Sequence, residues 1–337
     1  MLVPPRPKLE EDPLFAVRVA AMAVVCLVAI QVLKPPLSPI LASLPVGLMA
    51  AQRMAFNPFR VLGGVVAMAV LAVLTAALAE AFREMPIALL AITGMLYTIG
   101  FHIALTTGSP LGLVVLIVTA LTMLMGMTSS TLALMARDSF LLSALTAGLA
   151  IPILYMVFPA RTKDRMPEAY VPAPNAGASA VIRAVVLLAL TLWLHGTLYV
   201  ADNVLAIAAI FALVLPTQRH QWAEAADRTI GTAIGAAAAL IVLALLVVIN
   251  QFPVLMLLVF LASMILAARM MTSRLNATVY QFSLSVMLAL IAIALTTQSP
   301  GYAAFTRLVV TLVGAGVAVL ATTLIEGLLL RRKASEA

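Results

Sequence analysis

Twelve apolar runs follow one another along 337 residues with almost no polar chain between them, and only one solvent accommodates that pattern. A helix needs about 20 apolar residues to cross roughly 30 Å of hydrocarbon. The runs fall at 14–33, 38–52, 61–79, 85–104, 110–127 and 140–159, then at 180–199, 203–217, 229–250, 253–270, 280–297 and 305–329. Open strands cannot satisfy their backbone groups in lipid, and the runs lack the period-2 alternation of a barrel, so each is expected to be a helix. Composition points the same way. Apolar residues make up 64% of the chain and charged residues only 10%, against about 25% charged in soluble domains. The expected class is therefore an all-α integral membrane protein with about twelve transmembrane helices.

The runs form two sets of six with matching punctuation. An offset of about 165–168 positions carries Arg18 onto Arg183, Gln52-Arg53 onto Gln218-Arg219, and Arg60-x-x-Gly63 onto Arg228-x-x-Gly231. Pro86 falls on Pro253, and Thr128-Ser129 on Thr296-Thr297. Six is an even number, so both halves enter the membrane from the same side and are related by an axis along its normal, an architecture of transporters more than of enzymes. The expected organisation is a tail over 1–13, a first six-helix repeat over 14–160, a linker over 161–177, a second repeat over 178–330 and a tail over 331–337. The linker is too short to hold a folded domain.

Charge sets the orientation. With Arg18 and Arg183 counted by their nearer ends, 16 of the 20 basic residues fall in the tails and even-numbered loops. Lys34, Arg83, Arg137 and Arg307 fall on the odd side. Cytoplasmic loops collect Lys and Arg, so both termini are expected in the cytoplasm. The same bias accounts for a pI near 10 without a nucleic-acid partner. The tail carries Glu10-Glu11-Asp12 and no small-residue cleavage site, so the first run is expected to stay in the protein. Cys26 is a lone cysteine and excludes an internal disulfide. Asn276-Ala277-Thr278 fits a glycosylation acceptor, but it falls in a loop expected to be cytoplasmic, where the match is chance.

Missing motifs narrow the chemistry. No G-x-x-x-x-G-K-[ST] loop is present, so ATP hydrolysis by this chain is not expected. His102, His195 and His220 are scattered and have no carboxylate at i+4, so neither a metal site nor another cofactor is expected. No G-x-S-x-G elbow occurs, and no catalytic residue is assigned.

The candidate site residues are polar groups at membrane depth. Arg18 and Arg183 lie about a turn inside the first run of each half, where a centred charge costs about 2.5–3.5 kcal/mol. Two roles fit them: snorkelling to phosphate headgroups, or attracting an anionic substrate. Gln52-Arg53 and Gln218-Arg219 close the short second runs, either as ordinary positive loops or as a mouth that gathers anions. Those short runs contain Pro39 and Pro45, or end at Pro216, and short or interrupted spans at matching places in two repeats point to a transport site. Each is either broken or tilted, or a plain helix with frayed ends. Arg60 and Arg228 open the third runs, ahead of Gly63-Gly64 and Gly231-x-x-x-Gly235, whose small residues suit close helix packing. Asp227 stands beside Arg228 as a candidate counter-ion. Proton-coupling candidates are His102, His195, Asp202, Asp227 and Glu326. Structural alternatives stand for three of them: an interfacial polar residue at His195, a helix cap at Asp202-Asn203, and a partner for the basic residues 331–333 at Glu326.

Two six-run halves, each with a basic Arg-x-x-Gly opening its third helix, and the stretch Asp227-Arg228-Thr229-Ile230-Gly231-Thr232-Ala233-Ile234-Gly235 resemble the fusaric acid resistance protein and aromatic acid exporter family. The resemblance implies a bacterial inner-membrane efflux component for aromatic or related organic acids. It also implies drive by the proton gradient, a homodimer and a periplasmic adaptor of the membrane-fusion type. Members similar to this chain usually carry a cytoplasmic domain; only 161–177 lies between the halves here, which suggests a compact branch. The alternatives to an exporter are a channel or non-transporting scaffold, expected to give uncoupled flux or none, and a membrane enzyme.

Overall fold

A computed structural model describes residues 12–51, 58–108, 110–160, 175–197, 218–248, 251–273 and 275–295. Among these the regular structure is helical throughout. In chain order the helices are α1 (Phe15–Leu33), α2 (Ser38–Ala51), α3 (Pro58–Ala81), α4 (Pro86–Thr107), α5 (Pro110–Thr128), α6 (Ser130–Val157), α7 (Ala176–Thr197), α8 (Gln218–Val248), α9 (Phe252–Thr272) and α10 (Ala277–Ala294). Nine of the described helices are long and apolar enough to cross a membrane, and α2 is the shorter tenth. The runs at 203–217 and 305–329 lie outside the described residues.

Local chemistry sets the ends. Prolines begin α3, α4 and α5, where a missing N–H costs nothing because the first N–H groups of a helix have no intrahelical partner. Gly108 closes α4 in the left-handed region at φ 62°, and its N–H donates to the Ala104 carbonyl at 3.1 Å. Ser129 caps α6 by accepting from the Leu132 N–H at 3.1 Å. Hydroxyls inside the helices hide by bonding the carbonyl four residues back, as Thr93 does to Leu89 and Ser283 to Val279, so they need no partner in lipid.

Two helices are longer than the apolar pattern suggests. α6 begins at Ser130 rather than 140, and α8 at Gln218 rather than 229. Charges end an apolar run, yet they do not end a helix. In α6 the Arg137 Nε donates to the adjacent Asp138 at 2.9 Å on a half-exposed turn, and α8 carries Asp227 and Arg228 about three turns from its start. α2 is one continuous helix with Pro45 inside it, not a broken one.

Helices from the two sequence halves interlock. α1 packs on α9 and α2 on α10, while α7 packs on α4. One core joins α1, α2, α6, α8, α9 and α10 with Val61 of α3, and a second joins α4, α5 and α7. Among the described helices α8 and α10 are the most closely seated pair. A Cβ added at Gly231 would meet the Val279 carbonyl oxygen at 2.7 Å, and one at Gly235 would collide with the Ser283 carbonyl. These contacts advance together along both helices, so α8 and α10 run parallel. The same test makes α2 and α10 antiparallel, because Ser38 reaches Ala292 and Gly47 reaches Gln281.

Candidate functional site

Among the described residues three arginines are sealed inside this apolar bundle: Arg18 on α1 at 1% exposure, Arg183 on α7 at 0% and Arg228 on α8 at 4%. None of these side chains extends to the surface, as snorkelling would require. A guanidinium keeps its charge, so burial demands compensating groups.

At Arg18 those groups are visible. Its Nη2 forms an ion pair with Asp12 Oδ2, its Nη1 donates to the Phe158 carbonyl at 3.0 Å, and its guanidinium lies 4.6 Å from the centre of the Tyr155 ring. Asp12 is itself 2% exposed. The cluster ties the approach to α1 to the end of α6, which leads into 161–177. At Arg228 the guanidinium carbon lies 3.6 Å from the centre of the Phe282 ring on α10, close enough for a cation–π contact. The neighbouring Asp227 accepts a hydrogen bond from Asn276 Nδ2 at 2.6 Å. The side chain of the glycosylation-like tripeptide thus joins α8 to the start of α10.

A second polar seam lies where α2 meets α10. Gln281 Nε2 donates to the Gly47 carbonyl at 3.2 Å, and Ser285 Oγ lies 3.6 Å from the position a Cβ would take on Gly47. The short proline-bearing helix therefore meets a partly buried amide and hydroxyl where it packs on α10. Tyr97 on α4 and Thr191 on α7 share a buried hydrogen bond at 3.1 Å and link the two halves a second time.

The polar stretch that opens α8, with Arg228 buried and Gly231 and Gly235 seated on α10, is the segment on which the family resemblance rests. Residues 185–321 match the fusaric acid resistance protein-like family. Neither the curated proteins nor the solved structures contain a match to the chain. The matched segment takes in α8, α9, α10 and most of α7, and Arg183 stands two positions before it. The chain is a multi-pass membrane protein, and its residues 185–321 are similar to that family.

The other candidates scatter. His102 on α4 and His195 on α7 are exposed. Arg60 lies in the first turn of α3, and Gln218 and Arg219 open α8. Gln52, Arg53, Asp202 and Glu326 lie outside the described residues. No group of three or more His, Cys, Asp or Glu side chains is close enough to hold a metal among the described residues. Two further site residues are not titratable groups inside the runs. Asp12 sits just ahead of α1, and its signal was the last of three successive carboxylates, six positions before an arginine inside the first run. Gln281 is uncharged, and its signal was an amide inside an otherwise apolar run.

Proposed function

We propose that this protein is a proton-motive-force-driven exporter of aromatic or related organic acids in the bacterial inner membrane. The observation that carries the proposal is the burial of Arg18 and Arg183 at matching places in two halves, the second of which matches a resistance-protein family. An organic carboxylate leaving the cytoplasm loses its hydration, and a fixed cation offsets that loss. Helices of one repeat rocking against the other would then expose the site alternately to each side.

Packing between the halves supports the two-fold repeat. α1 on α9 and α7 on α4 are the same contact with the partners exchanged, and α3 on α5 corresponds to α8 on α10. The Tyr97–Thr191 hydrogen bond maps by the sequence offsets onto Met264 and Cys26, which belong to one apolar core. A homodimer, a periplasmic adaptor and cytoplasmic termini complete the proposal. Proteoliposomes loaded with labelled benzoate should release it on imposing a proton gradient and stop when an uncoupler collapses it. Release indifferent to the uncoupler would instead indicate a channel, and none at all would reject export.

A further inference from the structure

We infer that Arg18 is a carboxylate-binding site held shut by a carboxylate of the chain itself, Asp12, which the organic acid must displace. The inference rests on the export reading for its ligand class and on the Arg18 cluster for its geometry. Asp12 and Arg18 are both nearly fully buried and form the cluster's ion pair. Asp12 engages Arg18 through Oδ2, while its buried Oδ1 has no hydrogen-bond partner among the described residues. A structural ion pair of this depth normally satisfies both carboxylate oxygens, since a buried acceptor left unmade is costly. One oxygen paired and one idle is the arrangement of an occupant that fills a site without completing it.

The rest of the cluster suits an aromatic acid. The Tyr155 ring stands 4.6 Å from the guanidinium and supplies a flat apolar wall, and the Phe158 carbonyl holds Nη1 so that Nη2 stays aimed at the carboxylate position. Asp12 reaches that position from outside the helix. It precedes α1 by three residues, and Pro13 between them is exposed, so lifting the segment breaks the bond from the Phe15 N–H to the Asp12 carbonyl at 3.2 Å and frays only the first turn of α1. A tethered group competes at an effective concentration in the millimolar range, so the site opens when the acid accumulates to comparable levels. Arg18 carries one positive charge in either state, neutralised by Asp12 when shut and by the ligand when open.

Equilibrium binding of benzoate to the 337-residue chain in lipid nanodiscs tests this, with benzamide as the uncharged control. Asp12→Asn removes the competing charge at nearly constant shape and should tighten benzoate binding at least about tenfold, as loss of a tethered competitor requires. Benzamide should not compete, and Asp12→Asn combined with Arg18→Gln should not bind. Should the variants fold poorly, hydrogen exchange on the unaltered protein decides: benzoate should raise exchange at residues 12–18. Equal benzoate affinity in Asp12→Asn and the parent, absence of binding in both, or unchanged exchange would overturn the inference. Tightened binding with no proton-driven release would instead reject export and leave the site standing.

Discussion

Arg18 shows how little one residue's identity says about its surroundings. Its place a turn inside the first run was legible, but whether it reached lipid headgroups or faced inward depended on Asp12, Tyr155 and Phe158, two of them more than a hundred residues away. Removing one partner of a buried ion pair leaves the other charge uncompensated and costs about 3–5 kcal/mol. Asp12→Ala should therefore lower the thermal midpoint of the purified protein clearly, and Asp12→Leu with Arg18→Met should recover much of that loss, as differential scanning fluorimetry can show. In transport, Arg18→Ala, Arg183→Ala, Arg60→Ala and Arg228→Ala should each lower benzoate export more than Lys34→Ala or Arg83→Ala, which lie on the opposite side by charge bias. Four variants that express normally and export at the parental rate would reduce these arginines to topology signals.

At the scale of the element, ten of the twelve expected runs appear as helices, because length and apolarity suffice to specify a helix in lipid. The starts of α6 and α8 were misplaced because the apolar pattern stops at a charge while the backbone hydrogen-bond ladder does not. What sequence could not separate was which glycines touch a neighbour. Gly63 and Gly231 are equivalent by offset, yet a Cβ at Gly63 meets nothing within 4 Å while one at Gly231 would press on the Val279 carbonyl. Gly235→Leu should thus disrupt the α8–α10 seam and cut the yield of folded protein, whereas Gly63→Leu should be tolerated. Size-exclusion profiles of the two variants in mild detergent make the comparison, and equal behaviour would mean the seam can widen freely. Since the Gly231/Gly235 face is occupied within the chain, a homodimer must use another surface.

For the whole molecule, the interlocking of halves could not be foreseen, because each half reads as six consecutive helices that could equally have formed its own bundle. The contact between α1 and α9, and by sequence offset the one between α7 and α4, packs helices of one half against helices of the other. Tyr97 and Thr191 hold one side of that junction by a hydrogen bond, whereas the corresponding Met264 and Cys26 side is apolar. Orientation remains a matter of charge, with 16 of the 20 basic residues on the side of the tails and even loops. If that bias governs insertion, reporters fused after Arg165, after Ala337 and near Thr107 should all read as cytoplasmic, and one near Glu84 as periplasmic. The Arg18 cluster would then lie at the cytoplasmic end, where under the export proposal an acid accumulating in the cell first meets the protein. A periplasmic signal at Ala337 would remove both the even span count in each half and the cytoplasmic placement of Arg18, and export from that side would need a different site.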